Sequence, residues 1–284
     1  MTDLPATELR SQRFRLLEDI AKELEGEIVF PTCFDVSTHI SEVMSDESAS
    51  LRQIAQEIQR DPLVASKILQ VANSATYNQS GHDITDISHA LNRTGLQSAR
   101  AVALACALAQ LAKANKTSVF AEQLKELLEH SLKTAATARV LAQHLTPRVP
   151  PETAMLAGLV HDLGAFFMLN RVENYPELVD RPETVKFLVA QWHEGIGTTL
   201  LDALGIPEEV IEAVKEVDIP RPTIQTPRNL ADIVYIANLF SGGFAETQKL
   251  DLPNLKEPAE LQDPKYTKLQ PEIDAACEEI LQLR

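Results

Sequence analysis

His161 and Asp162 stand side by side in LAGLVHDLGAFFML (156–169), a run that is otherwise almost wholly apolar. Burying an imidazole and a carboxylate there costs on the order of several kcal/mol unless each finds a partner. A divalent ion shared with further ligands would be one such partner. Hydrogen bonds inside a helical core would be another, and the pair alone does not choose between them. Two more polar residues fall on apolar helical faces. His130 comes three residues after Leu127, and Asn238 four after Val234. Each has an ordinary alternative: a core-edge histidine bonded to a carbonyl, or an amide tying helices together.

Other chemistries lack their residues. SGGF (241–244) has no following Lys-Ser/Thr to make a phosphate cradle. There is no G-x-S-x-G, and HEGIG (193–197) places Gly197 where H-E-x-x-H needs its second histidine. Cys33, Cys106 and Cys277 are odd in number and far apart, which argues against both a disulfide framework and a zinc cluster. Cys106, inside AVALACALAQ, reads as core. Most carboxylates, Glu208 and Glu209 among them, fall on solvated helix faces.

The elements that must position these residues are helices throughout. Leu9, Phe14, Leu17, Ile20 and Leu24 recur at helical intervals. Ser50 with Gln53 reads as a capping box, and Asp61-Pro62 as an N-cap followed by a first-turn proline. Gly95 closes the short helix in ISHALNRTG. Further helices are expected over 97–113, 118–145, 152–169, 183–192, 194–204 and 208–216, and another is capped by Thr226-Pro227. EIVFPTCF (27–34) alone hints at extended structure. Four prolines between 253 and 271 predict an irregular strap before a terminal helix, Ile273 to Leu283. The fold class is all-α.

At 284 residues, with 44% hydrophobic and 24% charged residues, the chain is long enough for a sizeable core. The formal net charge of −15 disfavours DNA, RNA and anionic lipid, whose binders use Lys and Arg to replace counterions. No apolar run approaching the roughly 20 residues of a membrane span is read, and the N-terminus lacks a secretory signal. A reducing cytoplasm is expected, with neither nucleic acid nor membrane as partner.

In order, His130, His161-Asp162 and Asn238 resemble the HD superfamily of metal-dependent phosphohydrolases, in which H…HD…D on separate helices surrounds one divalent ion. RDPLVASKILQVANSATYN (60–78), DISHALNRTGLQSARAVAL (86–104), HSLKTAATARVLAQHL (130–145), AGLVHDLGAFFML (157–169) and LLDALGIPEEVIEAV (200–214) resemble, more narrowly, the HDOD family. These are HD-related output domains of bacterial signalling, and the likeness covers about residues 28–240. It implies an HD-like helical bundle with an N-terminal helical lobe (1–115), an HD-like lobe (116–245), then the Pro-rich strap and C-terminal helix (246–284).

The resemblance also implies loss of catalysis. Asn238 occupies the place of the last aspartate, and an amide is a weaker ligand that cannot serve as a base. His193 resembles an additional ligand of the HD-GYP phosphodiesterases, but KEVDIP (215–220) holds none of their His-His pair, and the GYP tripeptide is missing. Without a firmly held metal, bound water keeps a high pKa. The expectation is therefore a degenerate site with no catalytic residues and no resident cofactor. His130, His161 and Asp162 would hold a divalent ion weakly at most. The chain shows no receiver, dinucleotide cyclase or DNA-binding segment, so its partners would be signalling proteins in trans, receivers or cyclic-dinucleotide enzymes. Asn73, Ser74 and Tyr77 are the candidate lining of a groove between the lobes. The competing expectation is a working phosphohydrolase acting on a nucleotide or cyclic dinucleotide.

Overall fold

Local capping chemistry starts three successive helices of the N-terminal part. In the computed structural model, which describes residues 6–25, 32–46, 49–114, 118–243 and 257–283, the helices there are α1 (Ala6–Glu25), α2 (Asp35–Ser45), α3 (Leu51–Ile58), α4 (Pro62–Ala72), α5 (Ile87–Thr94) and α6 (Leu96–Ala114). Ser50 and Gln53 form the reciprocal capping box of α3. Asp61 accepts from the backbone N–H of Leu63 and Val64 at the head of α4. Gly95 ends α5 with φ 82, a left-handed value that glycine adopts without a Cβ clash.

The second half comprises α7 (Ala121–Leu145), α8 (Pro151–Val160), α9 (Leu163–Val172), α10 (Pro176–Val179), α11 (Pro182–Ala203), α12 (Glu208–Val214), α13 (Leu230–Phe240), α14 (Pro264–Thr267) and α15 (Gln270–Ile280). No strand occurs among the described residues. The architecture is all-α. One hydrophobic cluster runs from Leu16 through α6 to Val217 and on to Leu283. A second gathers Leu141, Ile233, Ile236, Tyr266 and Ile273.

The structure corrects several sequence expectations. The helix expected over 152–169 is two helices, broken at His161-Asp162, because Asp162 acts as the N-terminal turn of α9 and its carbonyl accepts from Ala165 and Phe166. The helices expected at 183–192 and 194–204 are one, α11, because Gly195 and Gly197 stay helical inside it. Asn229, not Thr226-Pro227, caps α13 by accepting from Asp232 N–H. Of EIVFPTCF, 27–31 lie outside the described residues, and Thr32–Phe34 form a 3-10 turn. Of the expected strap, residues up to 256 lie outside the described residues; from 259 onward the chain is mostly helical. The stretch Pro151–Val172 is long and apolar enough to cross a membrane, contrary to the sequence expectation, but 94% of its most apolar 18-residue window is buried inside the protein. Its apolarity serves the core around the His-Asp pair. Cys106 is a buried core residue, as expected.

Candidate functional site

Adjacent residues on an unbroken helix diverge by about 100°. The helix is interrupted between α8 and α9, where Asp162 takes φ −102 and ψ 16, and His161 Nε2 lies 3.1 Å from Asp162 Oδ2. Glycines on either side let other helices reach the pair. A Cβ on Gly158 would stand 2.7 Å from the Thr134 carbonyl oxygen, so its absence allows α8 to lie against α7, which carries His130. A Cβ on Gly164 would stand 1.9 Å from the His193 carbonyl oxygen and 2.6 Å from Gly197 N. Its absence allows α11 to approach α9 and bring His193 to the site.

Three imidazoles and two carboxylates meet there. His130 Nε2 is 3.2 Å from His161 Nε2 and 3.8 Å from Asp162 Oδ2. On the other side of the same carboxylate, Asp162 Oδ1 is 3.8 Å from His193 Nε2, which is 3.0 Å from Asp218 Oδ2. Asn238 Nδ2 donates to Asp218 Oδ1 at 2.9 Å. His161, Asp162 and Asn238 are buried, and His130 and His193 are half-buried.

Every histidine of the cluster anchors Nδ1 on a backbone carbonyl: His130 on Ser241 (3.2 Å), His161 on Gly158 (2.8 Å) and His193 on Val189 (2.9 Å). We assign Nδ1–H as the donor in each case, which turns Nε2 toward the centre. Burial works against charge on all three rings, and neighbours then separate them. His130 is pushed down by burial and by the His161 charge. His161 is raised despite burial, because Asp162 attracts and hydrogen-bonds its imidazolium. His193 is raised to about 9 despite burial, through its bond to Asp218 and the charge of Asp162. Asp162 is held well below the usual carboxylate range by His161 in spite of burial. His161 is therefore the ring that favours a proton on Nε2, held toward Asp162 Oδ2 at 3.1 Å and shared with His130 Nε2 at 3.2 Å.

Comparison with known proteins decides the family. The HDOD domain model matches residues 30–220. The chain belongs to the HDOD family. A structure from Shewanella amazonensis SB2B, provisionally named a metal-dependent phosphohydrolase, is 25% identical over 94% of this chain and 99% of its own, with a TM-score of 0.66. An HDOD domain protein of unknown function from Geobacter sulfurreducens is 18% identical over 96% and 99%, with a TM-score of 0.59. A protein from Marinobacter aquaeolei VT8, provisionally named a signal transduction protein, is 16% identical over 95% of this chain and 66% of its own, with a TM-score of 0.53. The last two likenesses concern the fold alone. No curated protein matches the sequence.

The donor set of this HDOD chain fits a divalent ion. Ligand atoms of His130, His161 and Asp162 lie within 4.8 Å of one another, and so do those of Asp162, His193 and Asp218. If both rings were neutral, the two Nε2 atoms 3.2 Å apart would face each other as bare lone pairs. Either the His161 proton or a cation must sit between them. Carbonyl-anchored Nδ1 atoms are the usual outer support of metal-bound imidazole. Such an ion would supply Lewis acidity at this point.

The structure brings together His130, His161, Asp162, His193 and Asn238. It adds Asp218, which the sequence reading passed over while noting only that KEVDIP lacks a His-His pair. A carboxylate 25 residues after one site histidine and 20 before the amide was the available signal. The groove candidates divide. Asn73 pairs its amide with both the carbonyl and the N–H of Ile84 at 2.7 Å, which ties the 73–84 loop. Ser74 and Tyr77 do line a cavity between the helices of the two halves.

Proposed function

We propose that this chain is a non-catalytic regulatory output module of the HDOD type, working through protein partners in trans in a two-component or cyclic-dinucleotide pathway. The observation that carries the non-catalytic reading is the Asn238–Asp218 hydrogen bond. It presents an amide N–H where a further carboxylate would add negative charge, and it occupies one oxygen of the nearest remaining carboxylate. A divalent ion bound beside it would be held more weakly, and its water would be a poorer source of hydroxide. Membership in a family of output domains supports the regulatory role. The net charge of −15 favours protein partners over nucleic acid or anionic lipid. Three unpaired cysteines are compatible with a reducing cytoplasm.

A second reading, a metal-dependent phosphohydrolase, draws on one specific observation: the convergence of His130, His161 and Asp162 ligand atoms. The two readings separate on turnover. Protein purified without chelator is assayed for metal content, then for hydrolysis of cyclic dinucleotides and phosphomonoesters with magnesium, manganese or ferrous iron. No hydrolysis above that of Asp162→Ala is expected. Turnover that Asp162→Ala abolishes would overturn the module reading.

A further inference from the structure

Beside the histidine cluster, a cavity of about 300 Å³ lies between residues 217–223, α13 and the chain at 257–260. That volume is at the lower end of the range for small-molecule sites. One part of its wall carries Asp218 and Asn238. Asn238 is only 2% exposed, and its Oδ1 accepts no hydrogen bond. A Cβ on Gly243, another wall residue, would stand 2.2 Å from that oxygen, so the glycine keeps the space there free of a side chain. Arg221 stands in the same wall. Its guanidinium carbon is 5.0 Å from the centre of the Tyr235 ring, and Nη2 donates to the carbonyls of Lys215 and Glu216 at 3.3 Å. These contacts hold the group in place, and among the described residues no carboxylate pairs with it.

A buried acceptor without a partner calls for an N–H or O–H donor. The surrounding charges choose between donors. Asp218, Glu257 and Glu260 set three carboxylates against one guanidinium in this wall, which favours a cationic donor and disfavours a phosphate. Arg221, with no internal counter-ion, suits one carboxylate. Val217 and Leu239 are buried and give the cavity an apolar floor, while Glu257 and Ala259 are exposed at its mouth. The ligand that answers all three demands is small, zwitterionic and partly aliphatic.

We propose that this cavity binds an aliphatic α-amino acid. The ammonium donates to Asn238 Oδ1 and to Asp218, the carboxylate lies against Arg221, and the side chain covers Val217 and Leu239. Each Asp218 oxygen already accepts one bond, from Asn238 and from His193, and keeps a lone pair for another. Through Asp218 the cavity shares a wall with the histidine cluster. The inference goes beyond the regulatory reading and does not rest on it. An amino acid has no phosphoester to hydrolyse, so binding here and turnover at the cluster succeed or fail separately.

The probes are L-valine, L-leucine and L-isoleucine, each titrated into the full chain by calorimetry with chelator present to keep metal complexes out. At least one is expected to bind saturably and to raise the melting temperature. For that one, the amine lacking the carboxylate and the acid lacking the ammonium are each expected to bind at least about tenfold more weakly. Arg221→Gln is expected to weaken binding to a similar extent, and Arg221→Lys, which keeps the charge, to weaken it less. Ala259→Phe fills the cavity from an exposed position and is expected to abolish binding, a test that stands even if Arg221→Gln disturbs the 215–221 turn. Absence of saturable binding by all three amino acids overturns the proposal. So does equal binding of the stripped amine or acid, or unchanged affinity in a folded Ala259→Phe protein.

Discussion

Asn238 and Asp218 are joined by a 2.9 Å hydrogen bond in which the amide nitrogen donates to the carboxylate. The orientation is dictated by charge, since turning the amide over would set its oxygen against a carboxylate oxygen. Asn238 Oδ1 accordingly points elsewhere and has no hydrogen-bond partner. It lies where a Cβ on Gly243 would stand 2.2 Å away. The amide thus stabilises Asp218 without a metal, as a metal would otherwise do.

Replacing that amide tests the idea. In Asn238→Asp a buried carboxylate faces the partly exposed one of Asp218, which favours uptake of a proton or a shared cation. With chelator present, the variant is expected to lose about 1–3 kcal/mol of stability in a denaturant titration. Manganese should recover most of the loss and raise the melting temperature of the variant more than that of the unaltered chain. Equal manganese responses would mean that position 238 does not face the ion.

The glycines of α9 and α11 give opposite outcomes for the same substitution. Gly164→Ala drives a Cβ to within 1.9 Å of the His193 carbonyl, a backbone atom that cannot rotate away. A loss of about 3 kcal/mol or more is expected, with the His193 ring resonances displaced in NMR spectra. Gly195 is exposed within α11 and a Cβ there meets nothing within 4 Å. Gly195→Ala is therefore expected to gain about 0.5–1 kcal/mol.

His130, His161, Asp162 and Asn238 were legible in the sequence because each interrupts an apolar helical face, where a polar residue demands an explanation. Asp218 was not, because it lies between α12 and α13 in a stretch without periodicity. Its position depends on a turn at Glu216, which adopts the left-handed φ of 58. Nor was the break at 161–162 legible, since the apolar run continues through it and pattern alone reads one helix. How the C-terminal segment joins the two hydrophobic clusters was hidden for another reason. Its helix is visible, but the two clusters that it joins are brought together only by tertiary packing.

All four tyrosines have their hydroxyls pushed above the ordinary value of 10.0, by burial first in each case. Tyr175 and Tyr266 are raised to about 12. Tyrosinate absorbance of the folded chain should therefore rise well above pH 10 and fall back toward 10 in denaturant. The folded state holds these protons more tightly than the unfolded one. The associated stability is complete below pH 10 and is lost as pH climbs toward 12. A folded-state titration centred at 10 would contradict the described burial.

Tyr77 offers the sharpest measurement of how the two halves are coupled. Its hydroxyl donates to Glu152 of α8 and accepts from Arg139 Nε of α7 at 3.3 Å, while Arg139 also donates to Glu152 at 3.1 Å. The guanidinium carbon stands 4.8 Å from the centre of the Tyr77 ring. Tyr77→Phe keeps the ring and its cation contact but removes the hydroxyl, so the loss reports its bonds to Glu152 and Arg139 together. About 1.5–3 kcal/mol is expected. Glu152→Gln alone should also destabilise, and the double variant should lose less than the sum, with a coupling of about 1–2 kcal/mol. Tyr77→Phe combined with Gly195→Ala, a distant exposed site, should be additive within about 0.5 kcal/mol. Coupling between Tyr77 and Glu152 no larger than that control would show that this bond does not tie α4's end to α8.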